Sequence, residues 1–166
     1  MLKTGNFSNM TCLELQFNID GVPLFKSSTG CMWPILCMVR HSCFTKPFVV
    51  GVYGGKEKPI DAKEFLAEFV AEAADLTKNG LLFGSQTFSV KIHSFVCDAP
   101  ARAFVKGIKY HSGYASCEKC TEPGEHIGKV ILPGTTASLR TDVAFDRKAD
   151  EDHHAEPCPL KPLSVG

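Results

Sequence analysis

The chain has 166 residues with 18 basic and 18 acidic side chains, a formal net charge of zero. That excludes a nucleic-acid binder relying on an overall basic surplus, and 44% hydrophobic with 22% charged residues excludes a disordered or collagen-like chain. The length suits one domain, burying roughly 70% of its unfolded surface. Residues 1–12 read as an N-terminal extension. Met1 to Asn6 lacks the apolar core of a signal peptide, and no later run approaches the roughly 20 apolar residues of a membrane helix. The expectation is an intracellular protein with no membrane partner. Its eight cysteines are then reduced thiols, and the sequons Asn6-Phe7-Ser8 and Asn9-Met10-Thr11 are chance matches.

In residues 13–20, Leu13, Leu15, Phe17 and Ile19 alternate with Glu14, Gln16, Asn18 and Asp20, as in a strand buried on one face. Gly21 and Pro23 end it, leaving Asp20 at its C-terminal end on the polar face. Two further strands are expected at Cys31–Val39 and Phe48–Tyr53, as antiparallel neighbours. Asp61 then reads as a helix N-cap, with Glu64 completing a capping box. Phe65, Phe69, Ala73 and Leu76 form an apolar stripe, and Asn79-Gly80 stops the helix. Residues 89–97 form a fourth strand, whose end, Phe95-Val96-Cys97, suggests burial on both faces. Asp98 follows, and Ala99 to Ile108 reads as a short helix with Pro100 in its first turn. Beyond Gly113 the periodicity weakens, and 157–166 looks like a proline-rich tail.

The expected fold is α/β with a mixed sheet in the order β-β-β-α-β-α. An aspartate ends the first strand and another ends the fourth. If those strands are neighbours, the two carboxylates converge at one sheet edge. Such oxygen-rich pairs suit Mg²⁺ or Mn²⁺, and two such ions can drive phosphodiester cleavage. The same residue types also suit an Asp-Gly turn at Asp20 and a helix N-cap at Asp98.

Phe17-Asn18-Ile19-Asp20-Gly21-Val22-Pro23-Leu24-Phe25-Lys26-Ser27-Ser28 resembles the first catalytic segment of DDE transposases of the CACTA-type group, as does Trp33-Pro34-Ile35-Leu36. Lys46 to Tyr53 with Lys58-Pro59 looks like the next block, and Val96-Cys97-Asp98-Ala99-Pro100-Ala101-Arg102-Ala103 like the segment carrying the second aspartate. His111-Ser112-Gly113-Tyr114 with Cys117-Glu118-Lys119-Cys120 is similar to the cysteine-containing insertion that follows. Leu139-Arg140-Thr141-Asp142 and Asp150-Glu151-Asp152-His153-His154 also resemble family blocks.

The resemblance covers residues 13 to about 156 in the family's order. It implies an RNase H-like core over 13–112, a Cys-x-x-Cys insertion over 113–156, and Asp20 and Asp98 as catalytic, metal-binding acids. It also implies nuclear DNA transposition, with transposon ends as the DNA partner; an oligomer is compatible with it. The family's third acid, a glutamate on a later helix, has no counterpart. Glu151 is the best local substitute, though it and its neighbours Asp150 and Asp152 fit a solvated charge run. The resemblance therefore implies a C-terminally incomplete catalytic domain for metal-dependent DNA cleavage and strand transfer, inactive alone.

Cys117 and Cys120 can supply two of the four ligands of Zn²⁺. His111 and His126 flank them symmetrically, with His111 the first candidate for a third ligand, and His153, His154 and Cys158 lie further on. Unligated thiols or a redox pair are the alternatives. Zinc leads to a second functional reading, a non-catalytic DNA- or protein-binding module. Arg102, Lys106 and Lys109 could approach phosphates, or could be a solvated face. Cys12, Cys31, Cys37, Cys43 and Cys97 read as small core hydrophobes.

Overall fold

A computed structural model describes residues 10–24, 30–41 and 46–164. The sequon Asn6-Phe7-Ser8 and Asn9 of the second, most of the N-terminal extension, Phe25 to Ser28 of the first motif, and Cys43 lie outside these residues. The fold is mixed α/β, and the chain divides into an N-terminal unit up to Cys97 and a C-terminal unit, Asp98–Ser164.

The N-terminal unit contains β1 (Cys12–Ile19), β2 (Val22–Pro23), β3 (Cys31–Val39), β4 (Phe48–Gly55), α1 (Ala62–Asn79), β5 (Leu81–Phe83) and β6 (Gln86–Val96). Its sheet runs β2-β3-β1-β6-β5, with β4 paired to β3. Strands β1 and β6 are parallel, and the other pairings are antiparallel. The connection between the parallel pair passes through α1, as a parallel crossover requires.

The alternation in β1 turns Phe17 and Ile19 into the core, opposite Cys37 and Ile35 of β3. Helix α1 covers this face. Phe69 packs edge-on against Phe17 with ring centres 4.9 Å apart, while Phe17 stacks on Phe95 at 5.5 Å. One turn earlier, Phe65 meets Trp33 and Tyr53 edge-on. Each such aromatic pair contributes about 0.5–1.5 kcal/mol beyond its burial. The most enclosed side chain of α1 is Leu66, with no exposed surface; it lies beside the expected Phe65–Phe69 stripe, which is broader than the sequence pattern indicated.

The ends of α1 follow local chemistry. Asp61 Oδ1 accepts the N–H groups of Lys63 and Glu64, and Gly80 closes the helix at φ 76°. A Cβ at Gly80 would stand 2.6 Å from the Phe88 carbonyl oxygen, so both its dihedral and its space call for glycine.

Three expectations change. Asp20 directly follows the end of β1 at Ile19, as expected, but what it opens is not a turn. The β1–β3 register, Phe17↔Cys37 and Ile19↔Ile35, continues unbroken into β2–β3 as Val22↔Met32 and Pro23↔Cys31. Asp20-Gly21 is thus a short break within one extended run, opposite Trp33-Pro34. Pro34 has no N–H to offer the ladder there, and the Trp33 ring occupies the space where a Gly21 side chain would be, 2.6 Å away.

The end of the expected fourth strand is also not buried on both faces, for Val96 is 46% exposed. Strand β5 pairs only with Gln86, Thr87 and Phe88, so the far half of β6 has β1 alone beside it among the described residues. Strand β5 itself was not expected; it makes a hairpin with β6 across Gly84-Ser85.

The C-terminal unit contains α2 (Ala99–Lys106), a small hairpin of β7 (Glu125–His126) and β8 (Val130–Ile131), α3 (Asp142–Asp146) and two single 3-10 turns, Glu151–His153 and Lys161–Leu163. Helix α2 buries Ala101, Ala103 and Val105. Gly107 caps it in the left-handed region, and its carbonyl accepts the N–H groups of Ala155 and Glu156. Residues 158–164 are more than a tail, because Leu160 and Leu163 are buried.

Candidate functional site

Asp20 is half-buried in the N-terminal unit, and its Oδ1 accepts the N–H of Gly21 at 2.8 Å. Two residues earlier, Asn18 is the register partner of Val96, and its side-chain amide donates to the Val96 carbonyl at 2.7 Å. The end of β1 is therefore tied to the end of β6. Asp98 follows Val96 by the same two residues that separate Asp20 from Asn18. It opens the C-terminal unit as the N-cap of α2, where its Oδ1 accepts the Ala101 N–H at 2.7 Å. The capping role expected as an alternative for Asp98 is thus filled. An ionised carboxylate that accepts one bond keeps lone pairs for a second partner, so capping and metal binding are compatible. Two hard oxygen donors suit Mg²⁺ or Mn²⁺ in kind.

The cysteine pair lies in the C-terminal unit. Cys117 Sγ and Cys120 Sγ are 3.4 Å apart, and Cys117 Sγ accepts the N–H groups of Lys119 and Cys120 at 3.4 Å each. Burial opposes ionisation of Cys117. The N–H groups of Cys120 and Lys119, the Cys120 thiol and the Arg140 charge outweigh it, and the Cys117 pKa falls below the ordinary thiol value. That is the electronic state a metal-binding or reactive thiol needs.

The expected third ligand is not gathered with them. His111 is exposed, its ring centre 4.3 Å from that of Tyr110, and His126 is exposed on β7. Among the described residues no group of three His, Cys, Asp or Glu side chains is close enough to hold a metal ion. Among the described residues the pair stands as two neighbouring thiols with no third metal-ligating side chain gathered beside them.

No protein-family model, curated protein or solved structure matches the chain. Among the described residues, no helix is long and apolar enough to cross a membrane.

The three cations considered for phosphate contact are mostly engaged. Arg102 Nε and Lys106 Nζ both pair with the Glu118 carboxylate, while Lys109 is exposed and donates its backbone N–H to His153. Glu118 thus cancels part of the positive charge that α2 would present. The nearest alternatives for a third acid are similarly placed. Asp150 is paired with Arg140 at 2.7 Å, and Glu151 and Asp152 are exposed on a single 3-10 turn.

Two residues organise the cysteine loop, Arg140, to which the sequence reading gave no role, and His153, which it noted only as lying beyond the cysteine pair. Arg140 is only 10% exposed at its side chain; its Nε donates to the Cys117 carbonyl at 2.8 Å and its guanidinium pairs with Asp150. His153, 1% exposed, donates from Nδ1 to the Ala115 carbonyl at 2.7 Å. Their presence in the blocks Leu139 to Asp142 and Asp150 to His154 was the available signal, but the Cys117 and Ala115 carbonyls they bind are 23 and 38 residues away in sequence.

Proposed function

We propose that Asp20 and Asp98 are the metal-binding carboxylates of an RNase H-like, transposase-type catalytic core acting on DNA phosphodiester bonds. The observation that carries this reading is the parallel β1–β6 pairing, with Asn18 opposite Val96 and an aspartate two residues beyond each. The mixed sheet, with β3 and β4 antiparallel beside β1, supports it.

When bound, Mg²⁺ or Mn²⁺ would supply Lewis-acid stabilisation of the attacking and leaving oxygens. The chain's own part is to orient each carboxylate within its own unit. Gly21 fixes the Asp20 carboxylate through its N–H, and the first turn of α2 fixes Asp98 through Ala101. With Asp150 committed to Arg140, no third acid is assigned, so slow or undetectable turnover is expected.

Metal binding is therefore the primary test, with nicking of supercoiled DNA as the second. Mn²⁺ binding followed by electron paramagnetic resonance is expected to weaken in both Asp20→Asn and Asp98→Asn. Asparagine in place of Asp98 preserves an N-cap, which separates ligand loss from helix loss. Unchanged Mn²⁺ affinity in both variants overturns the reading, as does nicking that is unaffected by Asp98→Ala.

A second reading rests on the thiol pair, a zinc-containing module that binds DNA or protein without catalysis. Stoichiometric zinc in the purified protein, lost in Cys117→Ser, supports the site; a metal-free protein with the same DNA affinity removes it.

A further inference from the structure

Strand β4 is an edge strand, paired with β3 and with no other strand among the described residues. Its sequence is unusual for an edge. Phe48, Val49, Val50 and Val52 are each between 42% and 57% exposed, where edges normally carry charge or proline to prevent further pairing. One extra residue, Val50, bulges between the Ile35↔Gly51 and Leu36↔Val49 pairs.

Between β4 and α1 lies an open groove of about 650 Å³. Its apolar floor includes Val50, Val52, Phe65 and Phe69. Its rim is formed by Asp61, Glu64, Glu68 and Glu72, and no described Lys, Arg or His lines it. The three glutamates recur every four residues, so they form one stripe on α1. In a chain with no net charge, this concentrates negative potential beside an apolar edge strand.

We infer that this groove is a docking site for an extended segment of a partner protein, in which apolar residues alternate with Lys or Arg. The segment adds to the free edge of β4, exchanging backbone hydrogen bonds in the manner of strand addition. Side chains of an added strand alternate between the two sheet faces. Its Lys or Arg residues therefore lie on the α1 side, where their stems cross the apolar floor and their charged heads meet the glutamate stripe. Its apolar residues lie on the other face, beside Val49, the partner of Leu36. Charge decides the occupant. Nucleic acid brings phosphates to four carboxylates and is repelled. A second copy pairing β4 to β4 brings two glutamate stripes together, which costs association energy for like charges. A basic, apolar strand satisfies both the edge and the rim. This inference does not depend on the metal-binding aspartates.

The test uses the full chain and a fluorescein-labelled heptapeptide alternating Val and Lys, followed by fluorescence anisotropy. Three comparisons need only the unaltered protein. The Val/Lys peptide is expected to bind about tenfold or more tighter than its Val/Glu counterpart, because opposite charges meet in one and like charges in the other. Methylating alternate backbone nitrogens, which removes ladder donors, is expected to weaken binding by a similar factor of about ten. Raising salt weakens it further. The variant Glu68→Lys/Glu72→Lys, checked for folding by circular dichroism, is expected to lose most of the affinity. No binding of the Val/Lys peptide, equal binding of both peptides, or indifference to N-methylation overturns the inference. So does a β4-mediated homodimer in sedimentation velocity that is abolished by Val52→Lys.

Discussion

Acidifying the solution from pH 7.5 to 5 is expected to destabilise the C-terminal unit through His153. This imidazole is 1% exposed, and Nδ1 is committed to the Ala115 carbonyl at 2.7 Å. Burial lowers its pKa from the ordinary histidine value. The Ala115 hydrogen bond and the Asp150 charge oppose that shift, and the Arg140 and Lys106 charges reinforce it. The unfolded chain takes up a proton as the pH falls through about 6.5, while the folded chain does not until its lower pKa is reached. His153 therefore contributes its full stability above about pH 6.5 and loses it as the pH falls towards its folded pKa. One differential proton gives a slope of at most about 1.4 kcal/mol per pH unit, so the loss between pH 6.5 and 5 is bounded at about 2 kcal/mol. His154, also shifted down chiefly by burial and then by His153 and Lys148, adds in the same direction. Urea denaturation by far-UV circular dichroism at a series of pH values, on the wild type and His153→Asn, isolates the effect. Asparagine retains a side-chain N–H for Ala115 but does not titrate. The wild type is expected to lose more stability than the variant between pH 6.5 and 5. Parallel loss in both proteins, or a gain of wild-type stability on acidification, would refute the reasoning.

Three other outcomes are expected. Leu66→Ala removes a fully enclosed side chain and costs about 2–5 kcal/mol, read from urea unfolding by the fluorescence of Trp33, which lies in the same unit; a cost below about 1 kcal/mol would show that α1 does not pack there as described. Asp98→Ala removes the cap of α2 and costs about 1 kcal/mol, whereas Asp98→Asn costs markedly less; equal losses would mean that the cap bond does not form. In timed iodoacetamide labelling at pH 7.5 with mass-spectrometric mapping, Cys117 reacts before Cys158, whose pKa is raised by burial. Cys37, buried and pushed up to about 11, reacts last; early labelling of Cys37 would contradict its place in the core.

Elements whose signals are local were legible without coordinates. The alternation of Leu13 to Ile19, the Cys31–Val39 run, the Asp61 cap and the Asn79-Gly80 stop each specify a short stretch of backbone through their own neighbours. The hairpin from Leu81 to Gln86 was not among them, although Gly84-Ser85 between apolar runs is a turn sequence. The stripe Phe65, Phe69, Ala73 and Leu76 identified the covered face of α1, but Leu66, one position away, turned out to be its most enclosed residue. Periodicity gives an angle on the helix, and the opposing surface sets how wide the buried face is.

What concerns the candidate site was legible in chemistry and not in geometry. The residue types Asp20, Asp98, Cys117 and Cys120 were visible from their motifs, as was their suitability for hard and soft metals. Tertiary structure decided the rest. It ties β1 to β6 through Asn18 and Val96, and carries the strand past Asp20 opposite Pro34. It also commits Arg102 and Lys106 to Glu118, and sets Arg140 and His153 behind the cysteine loop. The physical reason is the range of the interactions. A cap or an alternation is decided within a few residues, whereas the Asn18–Val96, Lys106–Glu118, Arg140–Cys117 and His153–Ala115 contacts join partners 12 to 78 residues apart. Their identity emerges only when the chain has folded and the entropy of closing those loops has been overcome.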